Sequence, residues 1–368
     1  MPYRIGDALF SGWECLEIEP GEYAEIFVFP VSYGAGLMPG DYGQAIRNLA
    51  PTVNRLRRGR SAIWVKLDSP EESLWFFREL RAGLKGIPIP IAVTIGNRKP
   101  AIKDFSYRPW TDDRPQTVVP PFVPPLARNG ITDEALACLR ILARLGDAFT
   151  AEVASLSGLE KISTVEECLK LLSDRGLVEH VIDEKTRRYP YWVIRKVGKS
   201  LALRSWGIPP GFVFTNYRER MEAPEGDHRR RSRLWPAWLR STSWKDRAVI
   251  YSGWSEAHLV GEKTRPDSLC WGTMEGMETL FWLEVESGHA SRANIQEKIA
   301  RRMRVATSYA LDRHVNLVFC VLGMHWVTET AALAFAGLVQ NWSSVILGDW
   351  STFGRLPLPT WGRIQTDS

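Results

Sequence analysis

Cysteine is scarce in this chain, and the motifs that are missing exclude several kinds of site. The 368 residues contain five cysteines, which are widely separated and form no CxxC pair. Zinc sites and disulfide frameworks use closely spaced cysteines, so the sequence predicts a reduced, cytoplasmic setting without structural zinc. The motifs GxGxxG and GxxxxGK[ST] do not occur, so nothing indicates a dinucleotide site or a P-loop.

Long apolar runs and a strong net charge are also missing. A membrane-spanning helix needs about 18 or more consecutive apolar residues, and no such run occurs. The opening stretch Met1–Asp7 lacks the apolar core of a signal peptide. The 47 basic residues exceed the 42 acidic ones by only five. We therefore expect no membrane span, and a charge that permits nucleic-acid binding without requiring it.

The length and the distribution of prolines predict several domains. A chain of 368 residues exceeds one typical domain. Alternating strand and helix patterns open the chain, and a proline-rich stretch follows them. The expected parts are an α/β domain of unknown role, a proline-rich linker, a winged-helix domain, a basic and tryptophan-rich connector, and a C-terminal α/β domain, at residues 1–108, 109–130, 131–200, 201–251 and 252–368.

Three helix patterns followed by a hairpin are typical of a winged helix. The hairpin joins Leu177–Ile182 to Tyr191–Ile194. The third helix carries Glu166 and Glu167 near its start, which repel phosphates, so we expect DNA contact through the wing. Three cations mark the tip of that wing, namely Lys185, Arg187 and Arg188. The alternative is a winged helix that serves protein contacts or dimerisation.

The connector holds the densest positive run of the chain. The arginines of this run are Arg229, Arg230, Arg231 and Arg233, and Trp235, Trp238 and Trp244 follow the run. Cations hold a nucleic-acid backbone and aromatic rings stack on bases, so this pattern suits a nucleic-acid track. An exposed arginine loop beside a tryptophan-packed helix explains the pattern equally well.

Three carboxylates stand at the ends of two predicted strands of the C-terminal domain. Thr279–Val285 is apolar and β-rich, and alternation along a strand directs Glu284 and Glu286 to one face. Asp267 precedes Glu284 by 17 residues, a distance that one hairpin spans. Carboxylates packed together repel one another, and a divalent cation relieves that repulsion. The alternative is a set of surface acids in an ordinary α/β domain.

The segments that follow complete the expected C-terminal domain. Helices are predicted at Ala290–Tyr309 and Thr328–Leu338, with strands at Val315–Leu322 and Val345–Leu347. The first helix has a buried stripe of Ile295, Ile299, Met303 and Ala306. Lys298 borders that stripe and reaches toward the carboxylates, whereas Arg301, Arg302 and Arg304 are expected to face solvent or DNA.

Pro266-Asp267 and Glu284-Val285-Glu286 resemble the two halves of the PD-(D/E)xK nuclease motif, with Glu286 in the position of the lysine. Residues 252–347 resemble the nuclease core. With the winged helix before it, the stretch 131–347 resembles the replication-relaxation proteins of plasmids and mobile elements. The resemblance implies a mixed α/β protein whose C-terminal domain has a restriction-endonuclease-like fold built on a mixed sheet.

The same resemblance implies functional roles. Asp267 and Glu284 bind Mg²⁺ or Mn²⁺, Glu286 orients or deprotonates the attacking water, and Lys298 lies near the scissile phosphate. The expected function is a metal-dependent endonuclease that acts on duplex DNA in plasmid or mobile-element maintenance, transfer or defence. The alternatives are a non-catalytic DNA-binding factor for replication or transcription, and an assembly module with homodimer or other protein contacts through the N-terminal domain.

Overall fold

The protein has a mixed α/β architecture and divides into two compact units. The computed structural model describes residues 3–5, 8–10, 15–16, 25–31, 38–56, 61–67, 74–87, 89–95, 100, 104, 130–159, 161–182, 190–205, 225–241, 246–255, 259, 264–335 and 343–349. Residues 1–35, 41–74 and 79–219 belong to the first unit, and residues 36–40, 75–78 and 220–368 to the second. No helix within the described ranges is long and apolar enough to cross a bilayer.

The first part of the chain forms a small, mostly parallel sheet, as the alternating pattern predicts. In order, the elements are β1 (Tyr3–Ile5), β2 (Ala8–Phe10), β3 (Cys15–Leu16), β4 (Glu25–Val31), α1 (Pro39–Leu56), β5 (Ser61–Leu67), α2 (Leu74–Leu84) and β6 (Ile91–Ile95). Strands β1 and β2 pair by themselves. The sheet runs β3-β4-β5-β6, and only its β3–β4 pairing is antiparallel.

Three helices, a hairpin and a fourth helix follow in the first unit. The elements are α3 (Asp133–Leu145), β7 (Asp147–Ala148), α4 (Thr150–Ser157), α5 (Ile162–Asp174), β8 (Val178–Val181), β9 (Tyr191–Ile194) and α6 (Lys196–Ser205). Strand β9 lies between β7 and β8 in an antiparallel sheet. Thr132 caps α3, since its hydroxyl accepts the Ala135 N–H at 3.2 Å. The helices and the hairpin occur in the predicted order, and the winged-helix assignment stays a prediction.

The second unit is built on a five-stranded sheet. Its elements are α7 (Glu225–Ser241), β10 (Ala248–Ser255), β11 (Ser268–Met274), β12 (Met277–Glu286), α8 (Arg292–Asp312), β13 (Asn316–Gly323), α9 (His325–Phe335) and β14 (Ser343–Asp349). The strand order is β10-β11-β12-β13-β14. The first three strands are antiparallel, and β12, β13 and β14 are parallel. Helix α8 therefore connects two neighbouring parallel strands.

The expected hairpin between β11 and β12 is confirmed. Met274 pairs with Met277, so the loop contains only Glu275 and Gly276. Both have positive φ, 53° and 78°, and two consecutive residues of that kind form the type I′ turn that suits the twist of a hairpin. The register ends with Ser268 opposite Leu283, so the next step of the ladder puts Asp267 across from Glu284.

One face of this sheet packs on α7. The cluster combines Trp235 and Leu239 of the helix with Phe281, Leu283 and Val285 of β12. Trp235 is fully buried, and its indole N–H donates to the Phe281 carbonyl at 3.0 Å. Because Val285 belongs to this face, the alternation of the strand directs Glu284 to the opposite one.

Helices α8 and α9 contact the sheet on the other side. The buried residues of α8 include Ile295, Ile299 and Met303, as the helical period predicts. Trp282 of β12 stacks on Phe319 of β13 with ring centroids 6.3 Å apart. Glu284 shares this face with Trp282, so its carboxylate enters an apolar layer instead of water.

Candidate functional site

The two halves of the acidic motif are joined by a hydrogen bond from a backbone N–H to a side-chain carboxylate. Val285 N–H donates to the Asp267 Oδ2 oxygen at 2.7 Å. Asp267 lies immediately before β11, and Val285 lies next to the end of β12. The neighbours of Val285 are Glu284 and Glu286, so this bond holds Asp267 beside both glutamates at the carboxyl end of β12.

Glu284 is a buried carboxylate with one oxygen that accepts no hydrogen bond. Its residue exposure is 3%. Oε1 accepts the Trp282 indole N–H at 2.8 Å, whereas Oε2 has no hydrogen-bond partner among the described residues. The Arg302 Nε atom lies 3.7 Å from that Oε2, which is an ion-pair distance beyond hydrogen-bond reach.

The surroundings of Glu284 favour its neutral form. Burial is the largest cause, and the negative charge of Asp267 adds to it. Arg302, the Trp282 hydrogen bond and Lys298 act in the opposite direction, yet the pKa of Glu284 is still raised from its ordinary 4.5 to about 8. The charge of Asp267 reaches Glu284 strongly enough to shift that pKa, so the two carboxyl groups form an electrostatically linked pair.

Helix α8 brings two cations to the carboxylates. The Lys298 ammonium donates to Glu286 Oε2 at 2.7 Å. One helical turn further along, the Arg302 guanidinium approaches Glu284 and also donates through Nη1 to the Arg265 carbonyl. Arg302 therefore turns inward, with 20% of its side chain exposed, instead of facing solvent or DNA as the sequence suggested.

A histidine from α7 completes the group. The His228 Nε2 atom lies 3.0 Å from the Val285 carbonyl and 3.4 Å from Asp267 Oδ2. Both neighbours are acceptors, so this nitrogen carries a hydrogen. Burial disfavours the charged imidazolium, but the hydrogen bond and charge of Asp267, together with the Val285 carbonyl, outweigh it and raise the pKa of His228.

Two contacts involve the four residues expected in the catalytic group: Asp267 accepts the N–H of Val285, the neighbour of Glu284, and Lys298 donates to Glu286. Their catalytic role stays a prediction. Sequence reasoning missed the contributions of His228 and Arg302. A signal for Arg302 existed, since residues four apart on a helix share a face and Lys298 was already a candidate. No local sequence pattern indicated a role for His228, because its contact with Asp267 depends on how α7 packs against the sheet.

The predicted nucleic-acid residues fall into three groups. Lys185, Arg187 and Arg188 lie outside the described residues, and Arg229 and Arg230 lie in α7 with side chains outside the description. Arg231 is half-buried, whereas Arg233 is 3% exposed and so is withdrawn from the surface that a phosphate reaches. Trp235 belongs to the core and offers no ring for base stacking.

The carboxylates fit a divalent cation as a pair. Within the described parts of the chain, no group of three or more histidine, cysteine, aspartate or glutamate residues has the arrangement of a metal site. Mg²⁺ keeps several waters and binds through as few as one or two carboxylates. Asp267 and Glu284 could supply those two carboxylates, and Glu284 Oε2 is buried and accepts no hydrogen bond from the described residues.

The raised pKa of Glu284 predicts a pH-dependent stability. Between about pH 4.5 and pH 8 the unfolded chain has lost this proton while the folded chain keeps it, so stability falls as the pH rises. Glu284→Gln cannot ionise, so its stability lacks this pH dependence. We expect its free energy of unfolding to rise by about 3–5 kcal/mol relative to that of wild type between pH 5 and pH 8. The measurement is the thermal unfolding of both proteins across that range. Glu297→Gln, at an exposed position on α8, is the control, and parallel curves for wild type and Glu284→Gln would contradict the prediction.

Comparison of the chain with protein-family models, with curated proteins and with solved structures found no match. The geometry of Asp267, Glu284, Glu286 and Lys298, and the resemblance of the motif that contains them, are therefore the basis for a function.

Proposed function

We propose that this chain is a DNA-binding protein whose second unit is a metal-dependent endonuclease-like domain. The observation that carries the proposal is the pair of Asp267 and Glu284, electrostatically linked at the carboxyl end of β12 with Lys298 beside them. A buried carboxyl group beside a second carboxylate is costly to ionise, and carboxyl groups with perturbed pKa values cluster at functional sites. A cation that binds phosphate is the most direct use for such a pair.

The order of the secondary-structure elements supports this proposal. Helix α7 precedes an antiparallel run of three strands, and α8 then crosses to the parallel strand β13. The resemblance to PD-(D/E)xK nucleases implies a mixed sheet with the first acid at the start of one strand and the second acid on its hairpin partner. Asp267 lies immediately before β11, and Glu284 lies on its hairpin partner β12.

Asp267 and Glu284 would hold the divalent cation, with Asp267 oriented by the Val285 N–H. When bound, the cation lowers the pKa of a water molecule and neutralises charge on the phosphate. Glu286 is the proton acceptor in this scheme, since it lies next to the pair and is only partly buried. Lys298 holds Glu286 in place through its 2.7 Å contact and contributes positive charge toward a phosphodiester.

The resemblance also supplies the biological setting of the proposal. Together with the basic wing and the arginine run, it supports duplex DNA as the partner and plasmid or mobile-element maintenance, transfer or defence as the context. A homodimer or another protein partner of the N-terminal domain belongs to the same proposal.

A second candidate is a DNA-binding factor for replication or transcription without catalysis. The observation that favours it is that every carboxylate of the site already contacts a basic side chain. Lys298 contacts Glu286, Arg302 contacts Glu284, and His228 contacts Asp267. A set of acids neutralised by the protein in this way has less need of a metal ion.

The endonuclease proposal predicts metal-dependent cutting of plasmid DNA. We expect nicking or cleavage in Mg²⁺ or Mn²⁺ and none in EDTA, measured by gel electrophoresis. Asp267→Asn and Glu284→Gln remove a ligand charge and should abolish cutting, while DNA binding stays equal or becomes tighter because an anion is lost. Glu297→Gln is the matched control, since it makes the same change at an exposed position.

Glu286→Lys distinguishes the roles of Glu286 in that assay. Loss of cutting indicates that Glu286 is the proton acceptor or a ligand, whereas a gain indicates that the site works better with the usual lysine. A wild-type protein that binds DNA tightly but cuts no DNA form in any divalent metal would favour the non-catalytic candidate.

The basic run on α7 predicts salt-sensitive DNA binding. Combined replacement of Arg229, Arg230 and Arg231 by alanine should weaken binding and flatten the plot of log affinity against log salt by about 0.9 per lost phosphate contact. Fluorescence anisotropy with duplex DNA at several salt concentrations measures both quantities. Arg240→Ala, at an exposed position in the last turn of the same helix, is the single-charge control. An unchanged affinity and slope in the triple variant would remove this run from the interface.

A further inference from the structure

The Arg302 side chain contacts Glu284 and the residue that precedes Pro266-Asp267. Its Nη1 atom donates to the Arg265 carbonyl, two residues before Asp267, and its Nε atom lies 3.7 Å from Glu284 Oε2. Arg265 precedes β11 and Glu284 lies near the end of β12. One guanidinium from α8 thus stands where the two carboxylate-bearing segments meet.

The contact between Arg302 and Glu284 is electrostatic and includes no hydrogen bond. Among the described residues, neither Arg302 Nε nor Glu284 Oε2 has a hydrogen-bond partner, although both atoms are buried. A bidentate arginine–carboxylate pair is held by two short, directional bonds, and this pair has none of them. The Nη1 atom belongs to the same guanidinium, so its bond to the Arg265 carbonyl holds the positive charge of Arg302 close to Glu284.

We propose that Arg302 is the internal counter-ion of Glu284 and that a divalent cation competes with it at the Glu284 Oε2 oxygen. The inference rests on the proposed function for the existence of a metal site, and it adds that the protein's own charge limits the affinity of that site. Arg302 is then a positioning residue that acts through Glu284.

The sign of the effect separates this role from a merely structural one. The positive charge of Arg302 repels a divalent cation with twice the energy with which it repels a proton. A neutral side chain at position 302 therefore strengthens metal binding to Glu284 more than it strengthens protonation of Glu284. Loss of a structural clamp has the opposite effect, because a loosened Arg265–Asp267 segment binds metal less well. Tighter metal binding after removal of an arginine is therefore specific to the counter-ion role.

The test is the Mn²⁺ dissociation constant of the full chain, measured by isothermal titration calorimetry with Arg302→Gln against wild type. We expect Arg302→Gln to bind Mn²⁺ about tenfold more tightly, and Arg302→Lys, which keeps the charge, to remain close to wild type. Arg301→Gln removes the same charge from the neighbouring exposed position on α8 and should change the constant by less than about twofold. The gain should vanish when Glu284→Gln is combined with Arg302→Gln.

Several outcomes would overturn the inference. An equal or weaker Mn²⁺ affinity in Arg302→Gln does so, as does an absence of Mn²⁺ binding in every variant. Arg302→Met is a second neutral variant, and failure of both neutral variants to fold would show a structural role instead. The nicking assay separates the two claims, because tighter Mn²⁺ binding in an inert protein supports the counter-ion and removes only catalysis. If wild type cuts DNA but Arg302→Gln binds Mn²⁺ no more tightly, only the counter-ion role of Arg302 is contradicted.

Discussion

The hydrogen bond from the Val285 N–H to the Asp267 carboxylate joins the parts on which the site depends. The two-residue turn at Glu275 and Gly276 fixes the register of β11 and β12, and that register brings Asp267 opposite Glu284. Val285 itself is anchored in the core that α7 covers. The apolar face of β12 thereby determines which face carries Glu284 and Glu286. A shift of β12 by one residue in register would exchange the two faces.

The electrostatics of the site follow from that placement. Alternation directs Glu284 into the layer beneath α8, where water cannot solvate it and its pKa rises to about 8. Basic side chains from two helices surround the acids, since Lys298 and Arg302 come from α8 and His228 comes from α7. A site of this kind is poised between two uses. Under the proposed function a metal ion replaces the contacts to basic side chains, and under the non-catalytic alternative those contacts persist.

Sequence reasoning found the parts of this unit that local periodicity determines. The strand alternation, the β11–β12 hairpin and the buried stripe of α8 are confirmed because each depends on residues close together in the chain. The start of α9 was placed too late, at Thr328, which resembles an N-cap. In the structure its hydroxyl donates back to the His325 carbonyl inside the first turn.

Contacts between distant elements were beyond that reasoning. His228 reaches Asp267 only because α7 packs on the sheet, and nothing in its neighbourhood along the chain encodes that contact. Arg302 was assigned to the exterior because an arginine on a helix usually faces solvent, and the presence of a buried glutamate reverses that expectation. Arg233 was likewise expected at a DNA surface and is buried.

The central claim is that Asp267 and Glu284 form a divalent-cation site, and a crystal soaked in Mn²⁺ tests it most directly. The anomalous scattering of manganese locates the ion without reference to activity or to DNA. The account predicts an anomalous peak within about 2.5 Å of both an Asp267 oxygen and Glu284 Oε2, with waters completing the coordination. Crystals of the folded chain with no manganese at these carboxylates, and with Arg302 still beside Glu284, would contradict it.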